Sequence, residues 1–99
     1  MKPLWTKIDY VKKHSRIDFD CDDAELEGLI VSAETALLNM LCRTYDELIE
    51  TYGDIPAPLR HATLVLVDNF YTHPSNAEPT QLYAVPYSFD LLIKPYMKL

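Results

Sequence analysis

The densest collection of potential metal ligands in this sequence is the run Asp18-Phe19-Asp20-Cys21-Asp22-Asp23. Carboxylates at alternating positions are what a calcium loop of the EF-hand kind uses at its first, third and fifth places, and Asp18, Asp20 and Asp22 would supply them. Such a loop then requires glycine at its sixth place and a bidentate glutamate at its twelfth. Those places hold Asp23 and Leu29, so the pattern fails twice. Capping of the helix that follows explains the same aspartates without a metal. His14, His61 and His73 are not spaced to share a helix face, and none pairs with a cysteine at zinc spacing. Cys21 and Cys42 form no CxxC motif and are expected to be reduced. A cysteine nucleophile needs a histidine base beside it, and neither cysteine sits in a motif that supplies one. There is no HExxH, GxSxG, Walker or GxGxxG pattern. The residues therefore predict no cofactor, no metal site and no catalytic residue, and the chain reads as a protein that is not an enzyme.

Seven prolines divide the chain into helix-length pieces. Lys7–His14 reads as a short helix with Thr6 as its cap, Asp9 completing an approximate capping box, and Trp5 packing back on the turn. Ile8 and Val11 would face inward. A second helix starts at Asp22 or Asp23. Leu26, Leu29, Ile30, Ala33, Leu37, Met40 and Leu41 recur at steps of three and four, and Glu25, Glu27, Ser32, Glu34, Thr35 and Asn39 fill the other side. It should end near Cys42. A further short helix, Tyr45–Tyr52, carries Leu48 and Ile49 inward and closes on Gly53 as a left-handed cap. Pro56 and Pro58 then open a helix from Leu59 to Tyr71. Its middle, Leu64–Val67, is apolar all round, the mark of a central buried helix. Thr72 to Val85 reads as a long proline-containing loop. A last helix runs from Pro86 to about Lys94, with Phe89, Leu92 and Ile93 as its apolar face, and Pro95 stops it. The fold class expected is all-α: a small bundle built on a long antiparallel helical hairpin with short N- and C-terminal helices.

The 99 residues read as one domain, 1–99, with the ordinary globular balance of 48% hydrophobic and 24% charged residues. Nine basic against fifteen acidic residues give a net charge of −6. That balance opposes a general nucleic-acid binder, which needs basic surface to displace counterions from phosphates. Residues 1–20 carry five positive and three negative charges, residues 21–54 one and nine, and residues 55–99 three of each. No stretch approaches the roughly 20 apolar residues of a membrane span, and the N-terminal residues form no apolar signal core. The expected site of synthesis is therefore a cytoplasm-like space.

Tyrosine is enriched, at seven residues. Tyr83, Tyr87 and Tyr96 crowd the C-terminal fifth together with Phe89. Tyrosine tolerates half-burial and is common in interfaces, so these four residues are the candidate assembly interface.

The ordered segments carry a resemblance. A short N-terminal helix leads to Arg16-Ile17-Asp18, followed by an aspartate run and Leu26-x-x-Leu29-Ile30-x-x-Ala33. Then Ile55-Pro56-x-Pro58-Leu59-Arg60-x-Ala62 leads into an apolar helix ending at Tyr71, and Pro86…Leu91-Leu92-x-Lys94-Pro95-Tyr96 closes the chain. Over nearly its whole length the sequence resembles the small head–tail connector, or adaptor, proteins of tailed bacteriophages and prophages. It departs from them after Tyr71, where Thr72-His73-Pro74 stands in place of a basic residue. The resemblance implies a structural, non-enzymatic subunit at the virion head–tail junction, made in the cytoplasm of a bacterial host. It implies a ring of about a dozen copies beneath the portal protein, extending the DNA channel and docking a tail or stopper protein. A free subunit can remain monomeric until the portal templates the ring. DNA passes through without sequence-specific contact, and no membrane is involved. The competing reading is a small helical regulator, a helix-turn-helix or antitoxin-like module, hinged at Gly53–Pro58. A recognition helix needs polar side chains facing the groove, and only Arg60 and Asn69 could serve in Leu59–Tyr71.

Overall fold

The computed structural model describes residues 2–15, 19, 21–72 and 87–98. Among these residues five α-helices follow in order: α1 (Ile8–His14), α2 (Asp23–Leu41), α3 (Tyr45–Tyr52), α4 (Ala57–Thr72) and α5 (Tyr87–Ile93), the last continuing into a 3-10 turn, Lys94–Tyr96. No strand occurs among the described residues. The fold is a small all-α bundle.

Local chemistry places most of the boundaries. The Asp22 carboxylate accepts from Glu25 N at 2.8 Å and caps α2. Thr44 does the same for α3, accepting from Glu47 N at 3.2 Å. Pro56 offers its carbonyl to Leu59 N and Arg60 N, starting α4 where the N–H that Pro58 lacks would have no helical partner. Gly53, at φ 80°, closes α3. α2 ends differently. Cys42 N bonds Asn39 O and Arg43 N bonds Leu38 O, a Schellman pair that forces Cys42 to φ 56°. A side chain at positive φ costs about 1 kcal/mol relative to glycine. Cys42→Gly is therefore expected to raise stability by about 1 kcal/mol, or about 4–8 °C in Tm for a domain of this size. Thermal denaturation followed by circular dichroism checks this, and an unchanged or lowered Tm would refute it.

The start of α1 corrects the expected capping box. Lys7, not Thr6, occupies the cap position, and no side chain caps the helix. Thr6 is buried, and its N–H points to Glu34. Glu34 is the second correction: assigned by periodicity to the solvent side of α2, it is only 2% exposed. Thr72 belongs to α4, and the remainder of the expected Thr72–Val85 loop lies outside the described residues.

α2 and α4 pack together as the central layer. The N-terminal segment shows their direction. Residues 4–6 bond Glu34 of α2 while Trp5 bonds Thr63 of α4. Further along the same segment, Lys12 meets Asp23 and Ser15 meets Asp68. Following this one segment, α2 is read backwards and α4 forwards, so the two helices are antiparallel. The core between them holds Leu26, Ile30, Ala33, Leu37 and Leu41 from α2 and Leu59, Ala62, Leu66, Val67 and Phe70 from α4. Val11, Leu48, Phe89 and Ile93 join the same cluster from α1, α3 and α5.

Candidate assembly surfaces

The N-terminal segment is held as a strap across the hairpin. Glu34 Oε1 accepts from Leu4 N at 2.7 Å, and its Oε2 accepts from Trp5 N at 3.0 Å and Thr6 N at 2.9 Å. Non-helical backbone has no helical partners for these donors, and a buried carboxylate needs several. Each satisfies the other. Trp5 Nε1 donates to Thr63 Oγ1 at 3.1 Å, and its ring stacks on Tyr45, with centroids 6.0 Å apart. Trp5 thus reaches α4 and α3, beyond the turn on which it was expected to pack. Arg60 completes the fastening, donating to the carbonyls of Trp5 and Ile55 and pairing with Asp54 at 3.1 Å.

Two depressions border the strap. A pocket of about 120 Å³ is lined by Trp5, Thr6, Lys7, Tyr10 and Arg60. A wider groove of about 470 Å³ lies between Leu4, the outer side of α2 at Leu38, the connection at Arg43, and the start of α3 at Tyr45 and Asp46. Leu4 is 51% exposed at its edge.

The C-terminal residues dock beside α3 and the end of α2. Arg43 Nε donates to Tyr96 O at 2.7 Å, Lys98 N donates to Leu41 O at 2.9 Å, and the Tyr52 and Tyr96 rings meet edge to face at 5.4 Å. Of the four residues expected to form an assembly interface, Tyr96 is therefore half-buried against Tyr52, and Phe89 is 3% exposed within the core. Tyr87 opens α5. Tyr83 lies outside the described residues. Of these two, Phe89 is buried and Tyr96 is turned partly outward.

Part of the charge asymmetry along the sequence is settled inside the chain. Lys12 Nζ lies 2.6 Å from Asp23 Oδ1, and Lys98 Nζ lies 3.6 Å from Glu47 Oε2. The hydrogen bond to Asp23 is the main cause of a Lys12 pKa raised above the ordinary lysine value. Asp22 is engaged as a cap, while Asp18 and Asp20 lie outside the described residues. No group of three or more potential ligands gathers among the described residues. Cys42 is exposed and Cys21 half-buried, and neither is in a disulfide. His14 meets Tyr10 at a tilt with ring centroids 4.6 Å apart, His61 is exposed, and His73 lies outside the described residues.

The two polar residues open to a DNA-reading role are already committed. Arg60 is tied to Asp54 and to two carbonyls, and Asn69 is buried. α4 is a core helix, and its apolar residues face neighbours rather than a groove of DNA.

Sequence reasoning missed three residues of these surfaces. Glu34 sat on the polar stripe of α2, and Leu4 lay ahead of any helix. Leu91 fell off the apolar face drawn for α5, yet it is leucine and 63% exposed. That mismatch between residue type and helical position was the available signal.

A family model described as "Phage gp6-like head-tail connector protein" matches residues 6–96. No curated protein and no solved structure matches the chain.

Proposed function

Because the chain belongs to the phage gp6-like head–tail connector family, a family of structural proteins of the virion head–tail junction, we propose that it is the subunit of a ring of about a dozen copies. The ring sits beneath the portal protein, extends the DNA channel and presents a docking surface to a tail or stopper protein. The observation that carries this reading is a family match running from the strap to Tyr96.

The physics supports it. A channel that DNA must traverse should not grip phosphate, and a chain of net charge −6 repels it. Exposed apolar side chains on separate elements, Leu4 on the strap and Leu91 on α5, suit unlike surfaces that meet head to tail. The C-terminal region that includes Tyr83, Tyr87 and Tyr96 contacts a neighbouring subunit or the portal, with Phe89 anchoring α5 from within.

Native mass spectrometry over a concentration series, with and without the cognate portal protein, tests the proposal. A closed ring of about a dozen subunits is expected, formed alone or on the portal. A dimer that persists on dilution and ignores the portal would overturn it in favour of a regulator.

A further inference from the structure

The guanidinium of Arg60 holds two segments at once. Its Nη1 donates to Trp5 O of the strap at 3.4 Å. Its Nε donates to Ile55 O at 3.2 Å and its Nη2 to Asp54 Oδ1 at 3.1 Å, both in the connection between α3 and α4. Asp54 Oδ1 also accepts from Ile55 N at 2.8 Å. Ile55 is buried, so both of its backbone groups need partners, and Asp54 and Arg60 between them supply one each. The order of this connection thus depends on where the guanidinium is held, and the strap is one of the parts that hold it.

The strap can move without its helix. Lys7, the residue that joins it to α1, is extended at φ −93° and ψ 144°, and no side chain caps α1. Rotation about the N–Cα bond of Lys7 swings residues 2–6 and leaves the Lys7 carbonyl in place to accept from Val11 N. α1 has anchors of its own in buried Val11, the Lys12–Asp23 pair and the Ser15–Asp68 bond. When the strap lifts, Arg60 loses the Trp5 carbonyl and the chain that covers it. When the connection opens, Arg60 loses Ile55 O and Asp54 and its hold on Trp5 slackens. Each opening therefore lowers the cost of the other.

We propose that the strap, residues 2–6, and the α3–α4 connection, residues 53–56, open and close as one unit coupled through Arg60, so that a partner gripping either segment shifts the position of the other. The device rests on contacts within one chain and not on the connector reading.

Hydrogen exchange of the full chain, resolved amide by amide by NMR, tests the coupling in both directions. Glu34→Gln perturbs the strap alone, and Asp54→Ala perturbs the connection at an exposed side chain. Glu34→Gln should raise exchange at Leu4, Trp5 and Thr6 by ~10-fold or more and at Ile55 by ~5-fold, with the amides of α1 and the middle of α2 unmoved. Asp54→Ala should raise exchange at the strap amides by the same ~5-fold, because coupling between two sites is reciprocal. Arg60→Met, which keeps the stem, should remove the transfer: Glu34→Gln added to it should leave Ile55 unchanged. Arg60→Lys, which keeps the charge and loses the fork, serves in its place if the methionine variant does not fold. Strap amides unmoved by Asp54→Ala, Ile55 unmoved by Glu34→Gln, a transfer that survives the loss of the guanidinium, or a uniform rise across α1 and α2 would each overturn the proposal.

Discussion

Replacing Glu34 by alanine is expected to destabilise the protein by about 3 kcal/mol, because it removes the acceptor of three backbone N–H groups at once. A hydrogen bond to a charged group is worth about 1.5–3 kcal/mol, and a buried donor left without a partner costs about 1–3 kcal/mol. The three bonds do not add in full, since strap residues 4–6 can lift off and recover hydrogen bonds to water. The loss is therefore capped near the free energy of detaching the strap. Against the 5–15 kcal/mol that holds a typical domain, this is a large fraction. Glu34→Gln should cost less, about 2 kcal/mol. With its oxygen placed where Oε2 stood, the amide keeps Trp5 N and Thr6 N but turns its NH₂ towards Leu4 N. Trp5 is the chain's single tryptophan. Strap release can thus be read from its fluorescence, which should shift to the red as the ring leaves Tyr45 and Thr63. Chemical denaturation gives the energy. A Glu34→Ala protein within about 0.5 kcal/mol of the parent, with unshifted emission, would show that the carboxylate does not hold the strap.

Phe70→Ala is expected to have the larger effect, about 4 kcal/mol. Phe70 is the largest fully buried side chain among the described residues, and it lies in the seam where α4 meets α2. Truncation removes the transfer free energy of the ring and leaves a void that two antiparallel helices cannot collapse to fill. Phe70→Leu, which keeps most of the volume, should cost less than about 1.5 kcal/mol. The pair of variants separates volume from aromatic character. If Phe70→Ala costs under about 1 kcal/mol in urea denaturation, the seam is looser than its burial implies. The two predictions also differ in kind. Phe70→Ala should lower cooperative unfolding as a whole, while Glu34→Ala should first raise amide exchange at residues 4–6.

The candidate surfaces divide along the same line between local and non-local causes. The tyrosine enrichment directed attention to the C-terminal end of the chain, but composition has no direction. Phe89 and Leu91 are two residues apart on one helix, and only the packing of α5 shows that the first faces the core and the second faces water. Leu4 precedes every helix, so no periodicity could rank it. Its exposure depends on where Glu34 holds its N–H.

The sequence by itself determined the helices, most of their caps and most of their apolar stripes. Asp22, Thr44 and Gly53, and the proline start of α4, act through bonds spanning a few residues, and short-range chemistry of that sort is written in the order of residue types. The antiparallel seam, too, was readable as an expectation from two long apolar stripes joined by a short helix. The tertiary structure alone decided that Glu34 turns inward. A stripe of polar residues predicts solvent on average, but a carboxylate is buried wherever a distant segment brings it enough donors. Those donors lie 28–30 residues away along the chain. It also decided which apolar side chains remain in water. Exposure is what is left after every element has covered what it can reach, so it is a property of the whole packed bundle and of no single segment.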